Sequence, residues 1–132
     1  MGLDMYLTGH KFIWTDHKNP KNNPIEDGYR VKVRELELGY WRKHPDLHGY
    51  IVDTFAGGND DCQRIDLDEK ALEKIIDAIE NDELPSGVTG FVFGQSGPED
   101  KDPSLEILRA ALKWLKAPDK KCSRSVYYQA SW

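Results

Sequence analysis

The chain has 132 residues, of which 39% are hydrophobic and 31% charged, with a formal net charge of −5. This length and composition suit one globular domain and exclude a disordered, collagen-like or coiled-coil chain. Proline and glycine interrupt the longest stretch without charge, residues 84–98, so we expect no membrane span. With 2 cysteines and no export leader, we expect a cytoplasmic protein.

The acidic surplus lies in residues 53–118, whereas the segments before and after are slightly basic. One pattern is typical of a nucleic-acid surface: a basic and aromatic run over 40–44 that closely follows Arg30, Lys32 and Arg34. An amphipathic strand with a cationic outer face explains the same residues. We therefore disfavour nucleic acid as a partner.

The first part of the chain predicts two strands. Polar and apolar residues alternate over 3–7, and β-rich residues follow at 12–14, which indicates the first strand. Residues 15–28 contain Asn-Pro turn chemistry and are predicted to form a mobile loop. The alternation over 31–38 slips near Glu35, which predicts a second strand with a bulge.

Two helices are predicted in the middle of the chain. Pro45 is a natural first residue for a short helix that ends at Gly57-Gly58. A polar turn over 59–62 and a short strand within 63–67 follow. Asp66 or Asp68 then caps a second helix. Its apolar stripe consists of Leu72, Ile75, Ile76 and Ile79.

The last part of the chain completes the predicted fold. Gly90–Gly94 is a short apolar strand, Asp102-Pro103 begins a third helix, and 125–132 form a final strand. The order β-β-α-(β)-α-β-α-β predicts an α+β fold with one mixed or antiparallel sheet and about three helices. We expect residues 1–132 to form a single domain.

Motifs at both ends of the chain are unusual together. The chain opens with Gly2-Leu3-Asp4-Met5-Tyr6-Leu7 and closes with Tyr127-Tyr128-Gln129-Ala130-Ser131-Trp132. Between them stand, in order, Gly39–Lys43, His48, Gly58–Cys62, Leu84-Pro85 and Gly90–Gly94. With these motifs the chain resembles a family of small phage, prophage and bacterial proteins that begin Gly-Leu-Asp-Met-Tyr-Leu and end Tyr-Tyr-Gln-Ser-Ser-Trp.

The resemblance implies a small cytoplasmic accessory protein that binds a host macromolecule, for example to antagonise a host defence system. The chain departs from the family pattern at Ala130, at Val92 and over 15–28. The resemblance implies no catalytic residue and no cofactor.

Two histidines have the spacing of a helical metal site. His44 and His48 are four residues apart, so a helix would place them on one face. Asp60, Asp61 or Cys62 would supply a third ligand. The spacing is a weak signal: a capping residue at His44 and a half-buried polar side chain at His48 explain the two histidines better, and we expect no metal.

A cysteine and a histidine also allow an enzymatic interpretation. Cys62 and His48 are a nucleophile and a base that Asp60 or Asp61 would orient. The adjacent aspartates disfavour a thiolate by repulsion, so His48, Asp61 and Cys62 stay candidates and no catalytic residue is assigned. The alternative function is a small hydrolase or metal-dependent enzyme that uses His44 or His48 with the 60–62 turn.

Aromatic residues occur as adjacent pairs in two predicted strands, at 40–41 and 127–128. Neighbouring strand residues face opposite sides, so one of each pair should be exposed, line a cleft or pack under a helix. We predict a ligand or partner cleft lined by Tyr40, Trp41, Arg42, His48 and Tyr128. These residues favour binding over catalysis, and the resemblance implies that the partner is a host protein.

Overall fold

The computed structural model describes residues 2–86 and 94–132. Its strands are β1 (Asp4–Ile13), β2 (Ile25–Glu26), β3 (Tyr29–Arg30), β4 (Val33–Arg42), β5 (Ile65–Asp66) and β6 (Cys122–Ser131). Its α-helices are α1 (Pro45–Phe55), α2 (Glu69–Glu80) and α3 (Lys101–Lys116). The strand predicted over Gly90–Gly94 falls on residues outside the described part, apart from Gly94.

Four strands form one antiparallel sheet in the order β4-β1-β6-β5. The predicted α+β class is confirmed, and the helices and long strands of the described residues follow the predicted order. Side chains alternate along the strands between two faces of the sheet. The inner face packs against the helices and forms the core with them, and the outer face lies on the opposite side. The inner face contributes Leu3, Met5, Leu7, Trp41, Val126, Tyr128 and Ala130 to this core.

A second sheet has two short strands, of which β2 lies in the region predicted to be loop and β3 directly follows that region. Glu26 of β2 pairs with Tyr29 of β3 across Asp27 and Gly28, whose φ angles are 52° and 83°. Two consecutive residues with positive φ form the type I′ turn that suits a tight hairpin, and Asp-Gly is a preferred sequence for it. Part of the predicted loop is therefore a hairpin.

Strand β4 carries the bulge that the sequence predicts, but three residues later. Leu7 of β1 pairs with Gly39, and Thr8 pairs with Glu37, so Leu38 is the extra residue. The bulge restores the alternation, and the strand then continues to Arg42 rather than ending at Leu38.

The helices begin where capping chemistry allows. Pro45 opens α1, and the Asp68 carboxylate accepts a hydrogen bond from the Ala71 N–H at the start of α2. The stripe predicted for α2 is buried. Helix α3 begins at Lys101, before the predicted cap Asp102, because a 3-10 turn over Pro98–Asp100 leads directly into it. Within the described residues, none of the helices is long and apolar enough to cross a membrane.

Two glycines on the inner face allow α3 to lie close to the sheet. A Cβ atom on Gly9 would come within 2.8 Å of the Trp114 ring, and one on Gly39 would overlap the side chain of Ile107. Here glycine is required by the close approach of a helix rather than by backbone conformation.

The contact at Gly39 predicts a compensating pair of substitutions. Gly39→Ala should lower the free energy of unfolding by about 1–3 kcal/mol, because the new methyl group collides with Ile107. In an Ile107→Ala background the same substitution should cost clearly less, since the colliding atoms are gone. Urea unfolding of the four proteins measures this coupling. An equal loss in both backgrounds would show that the collision is not the cause.

Candidate functional site

The residues of the predicted cleft are divided between the two faces of the sheet. Tyr40 and Arg42 lie on the outer face, where both contact Asp4: the Tyr40 hydroxyl donates to its carboxylate at 2.5 Å and Arg42 at 3.1 Å. Trp41 points inward and donates from Nε1 to the buried Ser104 hydroxyl at 2.9 Å. The structure therefore does not bring the five predicted residues together in one cleft.

His48 and Tyr128 do meet, inside the protein. The Tyr128 hydroxyl lies 2.5 Å from His48 Nδ1, and the Asp60 carboxylate lies 2.9 Å from His48 Nε2. Tyr128 is 1% exposed and His48 is 4% exposed. This hydrogen-bond chain joins β6, α1 and the turn that follows α1. Trp132, which is about half exposed, reaches the same carboxylate through its indole N–H.

One assignment of protons satisfies all three groups of this hydrogen-bond chain. Burial first, and then the charge of Asp60, raises the pKa of the Tyr128 hydroxyl, which keeps its proton. Tyr128 then donates to Nδ1, and Nε2–H donates to Asp60. Both ring nitrogens of His48 are thereby engaged with protein groups. A metal ion or a substrate proton would have to displace one of those bonds.

The turn over 59–62 places Cys62 beside the C-terminal part of β6, and Asp61 is exposed. Asp61 accepts a hydrogen bond from the Asn59 amide at 3.3 Å, and Gln129 donates from its side chain to the Cys62 carbonyl at 2.9 Å. Cys62 is half-buried and has a φ of 61°. Its side chain borders a groove on the outer face.

His44 has a partner that no local pattern indicates. Its Nδ1 lies 2.6 Å from the Ser96 hydroxyl, which also accepts from the backbone N–H of Asp46 at 3.0 Å. The Ser96 proton is then available to His44, so Nδ1 is the acceptor. Burial lowers the pKa of His44, opposed by the charges of Asp100 and Asp46.

The two histidines are thus held by different partners. His44 binds the segment that leads into α3, and His48 binds β6 and the 59–62 turn. In residues 2–86 and 94–132, the structure places no three His, Cys, Asp or Glu side chains where they could hold a metal ion together.

The outer face carries a groove that the sequence analysis did not identify. It has a volume of about 480 Å³. Its walls come from β1, β4, β6 and the 59–62 turn, and its lining includes Tyr6, Thr8, Glu35, Glu37, Cys62, Tyr127 and Gln129. The signal in the sequence is the set of alternate residues 4, 6, 8 and 10 in β1, which are polar or aromatic where the intervening residues are mostly apolar.

Both tyrosines of the last aromatic pair, Tyr127 and Tyr128, are buried, and the neighbours of Tyr127 explain why. It faces outward, yet it is only 8% exposed. The Arg64 guanidinium stacks 3.8 Å from its ring centroid, and its hydroxyl donates to Glu35 at 2.8 Å. This bond lowers the pKa of Glu35, which is therefore a carboxylate at neutral pH. In the other pair one residue is exposed and one is buried, as the alternation predicts: Tyr40 is exposed and Trp41 is buried.

Comparison of the chain with protein-family models, with curated proteins and with solved structures gave no match.

Removal of the Tyr128 hydroxyl should be costly. Tyr128→Phe leaves His48 Nδ1 without its donor in a buried site, so we expect a loss of about 1–3 kcal/mol in the free energy of unfolding. Tyr40→Phe is the matched control, because it removes a hydroxyl that also bonds a side chain but is exposed. That control should cost less than about 0.5 kcal/mol. Denaturant unfolding compares the two, and equal losses would contradict the internal role of the chain.

The position of His44 predicts a pH dependence. Unfolded histidine has a pKa near 6.5, whereas the pKa of His44 in the folded protein is lower. Below pH 6.5 the unfolded state therefore binds more protons at this residue than the folded state does. Stability from this group is therefore complete above pH 6.5 and falls as the pH drops below it. His44→Asn keeps an acceptor for Ser96 but does not titrate. Between about pH 7.5 and 5 the variant should lose less stability than the wild type, whereas parallel pH curves would contradict the assignment.

Proposed function

We propose that this protein acts by binding another protein through the outer face of its sheet, as a small phage or prophage accessory protein that binds a host protein. The observation that carries the proposal is the set of large side chains exposed on this face. A sheet face that exposes several aromatic side chains to solvent is typical of an interaction surface.

Three aromatic side chains provide the contact area. Tyr6, Tyr40 and Phe12 are 37%, 40% and 42% exposed, and the rings of Tyr6 and Tyr40 lie with their centroids 5.2 Å apart. Tyrosine combines a large apolar ring with a hydrogen-bonding end, and aromatic residues dominate the energy of protein interfaces. The rigid strands that carry these rings reduce the entropy lost on binding.

The adjoining groove favours a partner with cationic side chains. Glu35 and Glu37 line it, and Glu35 is held ionised by the bond from Tyr127. A lysine or arginine of the partner placed beside these carboxylates would form a charge-assisted hydrogen bond. We therefore propose a partner surface that combines apolar side chains with lysine or arginine.

Binding is better supported than the alternative of a hydrolase or metal-dependent enzyme. Both nitrogens of His48 are bonded inside the protein, and Trp41 and Arg42 lie on different faces of the sheet. Cleavage chemistry would need a nucleophile and a base that face the same open space.

A host cytoplasm is supported by two observations. Cys62 and Cys122 are both free thiols, as expected in a reducing compartment. The motifs at the two ends of the chain resemble those of the phage and prophage family. An antagonist of a host defence protein is one role consistent with both.

The test uses a photo-crosslinking amino acid at Tyr6 or Tyr40, expressed in bacterial cells. Both positions should capture the same host protein. The matched control is Tyr29, which is 78% exposed but lies on the separate hairpin and should not capture it.

Binding to the purified partner completes the experiment. Tyr6→Ala and Tyr40→Ala should each weaken the affinity by about tenfold or more, and Tyr29→Ala should leave it unchanged. The proposal fails if Tyr29 captures the same protein as efficiently, or if the two outer-face variants bind as well as the wild type while remaining folded.

A further inference from the structure

A second pocket lies at the end of the sheet, away from the 59–62 turn. The last residues of β1, the loop over 15–24, the start of β4 and the segment before β6 surround a volume of about 690 Å³. That is within the usual range for a small-molecule site. None of the residues that bound the outer groove lines this pocket.

Hydrogen bonds fix the walls of this pocket. Trp14 N–H donates to the carbonyl of Lys121 at 2.8 Å, which ties β1 to the segment before β6. The Asp16 carboxylate accepts from the backbone N–H groups of Lys18 and Asn19 at 3.1 and 2.9 Å. Asp16 N–H in turn donates to the Asn23 side chain at 2.7 Å. These bonds order the loop before a ligand binds, so binding does not have to pay the entropy cost of ordering it.

The lining is strongly cationic in a chain of net charge −5. Among the described residues that line the pocket, Asp16 is the one carboxylate, and it already accepts hydrogen bonds from Lys18, Asn19 and Asn22 of the loop. Its five cationic side chains are Lys11, Lys18, Arg34, Lys120 and Lys121.

Most of this positive charge is not neutralised by the protein. Lys11 lies 3.8 Å from Asp119, a carboxylate that Arg124 already holds at 3.0 Å. For the other four cations, the described ranges contain no carboxylate within ion-pair distance. Four like charges around one concave space favour a ligand with several negative charges.

An aromatic ring lies at the same pocket. Trp14 is 55% exposed and is held edge-on against Phe12, with ring centroids 5.5 Å apart. An exposed indole beside lysines is the combination by which proteins bind nucleotides, because the base stacks on the ring while the cations meet the phosphates. A simple inorganic anion would use the charges but not the ring.

We propose that this pocket binds the phosphate groups and base of a nucleotide, with Trp14 as the stacking platform and Lys120 and Lys121 among the phosphate contacts. The chemistry is the same for a free nucleotide and for one unit of a single-stranded nucleic acid. The pocket shares no lining residue with the outer groove, although its Trp14 contacts Phe12 of the outer face. Its ligand is of a different chemical class from the proposed protein partner.

The test titrates the full chain with ATP and, separately, with an oligothymidylate of about ten nucleotides, followed by calorimetry. ATP binding alone identifies a free nucleotide as the ligand. Oligonucleotide binding that weakens steeply with salt, without ATP binding, identifies a nucleic-acid strand. Either result supports the nucleotide chemistry if the variants respond as follows.

The charge-reversal variant Lys120→Glu/Lys121→Glu should weaken binding by at least about tenfold. Lys70→Glu/Lys74→Glu is the matched control, since these lysines are exposed on α2 and border a different cavity. Trp14→Ala should weaken ATP or oligonucleotide binding by a similar factor and should leave the binding of inorganic triphosphate unchanged.

Three results would overturn the proposal. They are the absence of binding to either probe at millimolar concentration, equal loss in the control variant, and binding of triphosphate as tight as that of ATP with no effect of Trp14→Ala. The last would indicate a site for anions without a base. All variants are compared only after circular dichroism shows a wild-type fold.

Discussion

The hydrogen-bond chain from Tyr128 through His48 to Asp60 determines much of this structure. His48 and Tyr128 are buried, whereas the Asp60 side chain is partly exposed. Because an unpaired hydroxyl or imidazole nitrogen is costly at a buried position, these bonds specify one arrangement of β6, α1 and the turn after α1. The groove on the outer face depends on this arrangement, because the same turn supplies one of its walls.

Local patterns in the sequence predict the elements well and their partners poorly. The spacing of Leu72, Ile75, Ile76 and Ile79 and the cap at Asp68 depend on residues within one or two turns, so they can be identified without the fold. The partners of His44 and His48 are Ser96 and Tyr128, which no local pattern connects to them. The four-residue spacing that suggested a metal site reflects only that His44 precedes α1 as its N-cap residue and that His48 lies in the first turns of the helix.

The errors in the prediction have physical causes. The Asp27-Gly28 hairpin was missed because the prolines and asparagines before it indicate a loop, although Asp-Gly is itself a strong hairpin signal. The alternation of strand residues separated Tyr40 from Trp41 correctly. It failed for Tyr127, because Arg64 and Glu35 cover an outward-facing ring. The groove and the cationic pocket combine distant segments and could not be predicted from periodicity.

The sheet order has a consequence for biosynthesis. Its two middle strands are β1 and β6, and their pairing matches Asp4 with Ser131 and Ile13 with Cys122. Everything between them has been translated before this pairing can start. Until β6 has been synthesised, β1 lacks one of its two neighbours, and Met5 and Leu7 on its inner face lack their partners Ala130 and Tyr128. Long-range strand pairing of this kind folds slowly, so completion of the sheet is a late step in folding.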